Sequence, residues 1–173
     1  MEFFGPTVRA RDQWTIGVPG DAGVVVAQAG SGTVVARSGF YQLTAATTNS
    51  ANRTLEWYVP IPPQLLAKQV RLVRGRFSYR MTFVGPGSNR ISDNVLSIYN
   101  PDDETVTDID KDLVNIVSGT TTHAFSNLPS RILSQENPGI VHVLLRFSAW
   151  GGGAGGSATI AIRGMYFTFD AVD

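Results

Sequence analysis

Between residues 141 and 150 one parity is wholly apolar, Val141, Val143, Leu145, Phe147 and Ala149, while the other carries the polar His142, Arg146 and Ser148. Successive side chains of a strand point to opposite faces, so this spelling predicts a strand with one buried and one wet face. Residues 158–169 repeat the grammar, and the glycine-rich 151–156 between them reads as a hairpin turn. The longest regular run is 73–84, with Phe77, Tyr79, Met81 and Phe83 opposite Arg74, Arg76, Ser78, Arg80 and Thr82. Shorter runs at 14–18, 23–27, 32–36, 40–44, 55–59 and 95–99 complete eight or nine strands. The break at 29–32 again reads as hairpin-like.

Helical periodicity is nearly absent. Only 64–68 suits a turn of helix, with Pro63 fit for its first position. Residues 102–139 carry mixed signals: an acidic loop, a turn near 113–117, and Pro129 and Pro138 as breakers. Strands with one apolar face each, joined by Gly/Pro/Asn turns, predict an all-β, antiparallel two-sheet sandwich. Uneven strands and long connections favour jelly-roll topology over a closed barrel. Residues 1–13 lack a strand period and read as an N-terminal arm, leaving 14–173 as one domain, in keeping with its 173 residues.

Composition narrows the function classes. Without cysteine there are no disulfides, thiolate chemistry or Cys-held metal. Only 16% of residues are charged, against roughly 25% in an average globular domain, a hint of surfaces covered by neighbours. The first residues lack the pattern of a secretory signal, and no run is long and apolar enough to span a bilayer, so a soluble chain made in the cytoplasm is expected. Net charge is zero but segregated, +6 over residues 1–90 and −6 over 91–173. That split would let copies meet head to tail, unless the fold interleaves the two halves.

The order of elements resembles the carbohydrate-binding-module-like jelly rolls of tailed-phage fibres, head decorations and other virion proteins. The residues behind the resemblance are a Trp-led strand at Trp14, the strand 40–44, the Pro-rich step into Pro63 and Leu66-Ala67-Lys68 before Val70, the long strand 72–83, and the closing alternation 158–169. It spans roughly residues 14–170 and carries over no sugar- or ion-binding residue. It implies a non-enzymatic virion protein decorating a capsid or building a fibre or tail, with copies of itself and other virion proteins as partners. The alternative is a module recognising host-surface glycans.

Candidate chemistry follows from single side chains. Phe3 and Phe4 in the arm, and the stripe Arg74, Arg76 and Arg80, are candidates for subunit or scaffold contact. Zero net charge, two lysines and no recognisable module weigh against nucleic acid. Trp57, Tyr99 and Trp150 are candidate sugar platforms; Trp57 and Tyr58 lie on opposite faces of one strand, so one of that pair at most looks outward. Asp108, Asp110 and Asp112 form a weak Ca²⁺ candidate that lacks the EF-hand glycine and glutamate positions. His123 and His142 lie in no nucleophile motif, and no phosphate loop or nucleophile elbow is present, so neither an enzyme nor a cofactor is expected.

Overall fold

The computed structural model describes residues 12–100, 106–112, 119–126 and 128–172, the side chains of 106–112 and 119–121 excepted. Phe3 and Phe4, and the turn expected near 113–117, lie outside the described residues. Twelve strands are assigned among those residues: β1 (Gln13–Pro19), β2 (Val24–Gly30), β3 (Thr33–Arg37), β4 (Phe40–Ala46), β5 (Ser50–Pro60), β6 (Val70–Val84), β7 (Ser88–Tyr99), β8 (Val106–Asp112), β9 (Gly119–Ala124), β10 (Ile132–Leu133), β11 (Ile140–Trp150) and β12 (Ser157–Ala171). One short helix, α1 (Pro63–Leu66), opens with proline at its first position, where a missing N–H costs nothing.

The strands form two antiparallel sheets. In one, β12 is central, flanked by β6 and by β4 and β1, with β3 beyond β4 and with β9 and β10 along the far side of β6. The other runs β2-β5-β11-β7-β8. The chain shuttles between the two, giving the jelly-roll sandwich that the alternation predicts.

Two expected hairpins are instead arches. β11 and β12 lie in different sheets, and so do β2 and β3. The period-2 pattern shows that a strand has a buried face but not which sheet supplies it, because both inner faces look onto one core. The described part of the acidic segment is likewise strand: Val106–Asp112 pairs with β7, and β9 and β10 pair with β6. β7 starts at Ser88, seven residues earlier than its apolar part suggests.

All five residues Val141, Val143, Leu145, Phe147 and Ala149 are buried, and they meet Phe77, Met81, Phe167 and Phe169 of the facing sheet in one core. Tyr41 and Phe147 meet edge to face across it, centroids 6.0 Å apart. At one end the buried Asn89 of β7 donates to the carbonyls of Thr82 (2.9 Å) and Thr159 (3.1 Å), bridging to the opposite sheet. The segregated charge does not divide the molecule, since each half of the chain contributes strands to both sheets.

Burial pushes the Tyr41 phenol above its ordinary pKa near 10, with the nearby Arg53 guanidinium pulling the other way. The folded state therefore holds this proton more tightly than the unfolded chain. Stability from the group is full below about pH 10 and is lost as pH rises through the folded pKa. The urea midpoint is expected to fall on that alkaline side, and to fall less in Tyr41→Phe; equal slopes would remove Tyr41 as the cause.

Candidate functional site

The site grows from the parity of β5 and β11. Leu55, Trp57 and Val59 point into the core, so Glu56 and Tyr58 point out. In register across the outer face, Tyr58 lies beside His142, Thr54 beside Arg146, Asn52 beside Ser148 and Ser50 beside Trp150. β7 extends these rows with Ser97, Asp93, Arg90 and Ser88.

Tyr58 is 54% exposed yet held firmly. Its ring stacks on the His142 imidazole, centroids 4.7 Å apart and planes 20° off parallel. Its hydroxyl donates to Glu56 Oε2 at 2.6 Å. That carboxylate lies 3.6 Å from His142 Nε2, and His142 Nδ1 lies 3.1 Å from Ser97 Oγ. The hydrogen bond to Glu56, followed by burial and the negative charge of Glu56, raises the Tyr58 pKa, so the phenol stays protonated at neutral pH.

Ser97, His142 and Glu56 imitate the order of a nucleophile relay, but Ser97 is fully buried and its hydroxyl cannot reach a substrate. The trio fixes the Tyr58 ring instead. His123 is likewise packed against aromatic rings, with Phe77 at 5.2 Å and Phe125 at 6.1 Å.

Four residues along β11 from the Tyr58–His142 row lies a shallow depression lined by Ala27, Ala29, Asn52, Arg53, Thr54 and Arg146. Arg146 is paired with Asp93 at 2.9 Å. Four residues further on, Trp150 is 48% exposed on the same face. At roughly 3.3 Å per residue, the two aromatic rows stand about 26 Å apart.

Of the sequence candidates, Trp150 and the half-buried Tyr99 belong to this face. Trp57 does not: it is 1% exposed in the core, its indole against Gly23, where an added Cβ would come within 2.4 Å of the ring. The outward aromatic of that pair is Tyr58, and the apolar parity shared by Leu55, Trp57 and Val59 was the signal for it. Arg74, Arg76 and Arg80 are exposed on the outer face of the other sheet. Asp108, Asp110 and Asp112 are strand residues of β8 whose side chains lie outside the described ones. Among the described residues, no group of three His, Asp or Glu could hold a metal ion, and no helix is long and apolar enough to cross a membrane.

No protein-family model and no curated protein matches this sequence. Similar solved structures include carbohydrate-binding modules. A variant of a family 29 carbohydrate-binding module has 8% identity and a TM-score of 0.42, over 91% of this chain and 86% of that one. Another variant of that module, complexed with cellulohexaose, has 9% identity and a TM-score of 0.41, over 92% of each chain. The low-affinity xylan-binding module of family 86 from Roseburia intestinalis has 15% identity and a TM-score of 0.36, over 89% and 94%. None of the three is described as a virion protein. Likeness at this level is broad and distant, and the chemistry of the face rests on this chain's own residues.

Proposed function

We propose that this protein is a non-catalytic module that binds an extended glycan along the outer face of β5, β11 and β7. The observation carrying this reading is the Tyr58 ring, half exposed yet braced by His142 and Glu56, on the same sheet face as Trp150. A ring immobilised before binding gives up little entropy when a ligand stacks on it. Tyr58 and Trp150 supply apolar platforms for the C–H faces of sugar rings. Between them Arg146, Asp93, Asn52 and Ser148 offer donors and acceptors to sugar hydroxyls. The span of about 26 Å fits an oligosaccharide chain rather than a single sugar.

A screen of neutral polysaccharides by affinity electrophoresis, followed by calorimetry on the best ligand, tests the reading. Tyr58→Ala is expected to weaken binding by at least about tenfold, the scale of a lost aromatic anchor, with circular dichroism unchanged. Trp150→Ala should lose a similar amount on long oligosaccharides and less on short ones. Unaltered affinity in Tyr58→Ala would overturn the assignment.

Self-assembly, the role implied by the resemblance to virion jelly rolls, is the second reading. It is favoured by the edge strand β2, where Val24 (59%), Val25 (42%) and Val26 (49%) stand exposed without a guarding charge. Growth of solution mass with concentration would support it.

A further inference from the structure

The face of the molecule opposite the Tyr58 site remains unused by this reading, and its chemistry differs. On β6, Arg74, Arg76 and Arg80 are exposed and share one parity with Ser78. At roughly 3.3 Å per residue they form a row along the strand with steps of about 7 and 13 Å. Among the described residues, no carboxylate lies within ion-pair distance of any of the three.

The strands beside β6 are rich in hydroxyls. Ser78 and Thr122 are 3.3 Å apart on the β9 side. On the β12 side Thr168 pairs with Thr15 at 3.1 Å, and Thr159 with Thr44 at 3.0 Å. In the middle, the Arg76 guanidinium lies over the Tyr166 ring, 5.1 Å from its centroid, and that ring packs against Gly17. The contact favours this placement of Arg76 over the ring.

We infer that this face is a second binding surface that takes a polyuronate, a polysaccharide carrying a carboxylate on each sugar. Each guanidinium fork can grip a planar carboxylate through two parallel N–H donors. The flanking hydroxyls of Thr15, Ser78 and Thr122, which are not buried, then meet the hydroxyls that a polyuronate keeps and a heavily sulfated chain has largely replaced. Tyr166 is partly exposed beside Arg76, so single-stranded DNA, which could stack a base there, is the competing occupant that the test separates from a polyuronate. The inference is independent of the Tyr58 site, being carried by other residues on the other sheet.

The test uses the full chain and polygalacturonate in low-salt buffer, with dextran sulfate and single-stranded DNA as competitors. Wild type is expected to bind polygalacturonate, and to bind it less as salt rises. The triple change Arg74→Gln, Arg76→Gln, Arg80→Gln should weaken binding by at least about tenfold, with unaltered circular dichroism. Lysines at the three positions should restore only part of it, because they keep charge but not the fork. Tyr58→Ala should leave polygalacturonate binding untouched. The inference is overturned if wild type does not bind, if the triple variant binds as well as wild type, or if either competitor displaces polygalacturonate at equal or lower charge concentration. A salt-sensitive dimer that the triple variant abolishes, without polygalacturonate binding, would assign the stripe to a second copy instead.

Discussion

Trp57→Ala is expected to destabilise the sandwich by about 3–5 kcal/mol, while Tyr58→Ala, one residue on, leaves stability nearly unchanged. The indole of Trp57 is 1% exposed in the shared core, and Gly23 is shaped around it. Truncation removes the transfer free energy of the ring and leaves a cavity that two hydrogen-bonded sheets cannot collapse to fill. Against a typical total of 5–15 kcal/mol, that is a large share. Trp57→Phe should cost much less: it keeps most of the volume and removes an indole N–H that finds no acceptor among the described residues. Urea unfolding of the three variants checks the order. Equal losses for Trp57→Ala and Tyr58→Ala would mean that the two side chains are not segregated between core and surface.

That pair also shows what could be read from the chain alone. Where one parity is uniformly apolar, as in β11 and the middle of β6, hydrophobic alternation locates the strand and names its buried face. The short helix was equally plain, because Pro62 and Pro63 stop a strand and start a turn. The first half of β7 was hidden for an identifiable reason. Asn89 and Asn94 occupy inward positions there, so neither parity looks greasy, and Asn89 is inside because it bonds across to Thr82 and Thr159. β8 was hidden in the same way by its aspartates, which a strand at the edge of a sheet tolerates and a loop also favours.

The site was half legible. Trp150 and Tyr99 were visible as candidate platforms, but the ring with the best-defined support, Tyr58, needed its register with His142. That contact joins residues 84 positions apart and leaves no trace in local spacing. The arginine stripe was plain from parity, whereas its bracing by Tyr166 depends on the pairing of β6 with β12.

The same limit bears on residues 151–156, which spell a flexible turn and build a rigid arch between the sheets. The amide of Gly151 donates to the carbonyl of Asn49, and that of Gly153 to the carbonyl of Thr47, both at 2.9 Å; the Thr47 amide returns a bond of 2.8 Å to the Gly156 carbonyl. Gly152 has φ +79°, and a Cβ there would meet the Pro86 carbonyl oxygen at 2.2 Å. Gly155 has a similar φ, +73°, but nothing lies within 4 Å of its would-be Cβ. Gly155→Ala should therefore cost only the left-handed backbone penalty, about 1–2 kcal/mol. Gly152→Ala adds a collision with backbone that cannot rotate away, and is expected to cost about 3–5 kcal/mol. Because Trp150 leads directly into the arch, Gly152→Ala should also weaken glycan binding at the Trp150 end, most strongly for long oligosaccharides, while Gly155→Ala leaves it intact. Thermal unfolding and calorimetry on both variants separate the effects; equal costs would mean that the arch yields at Pro86 and is softer than its hydrogen bonds imply.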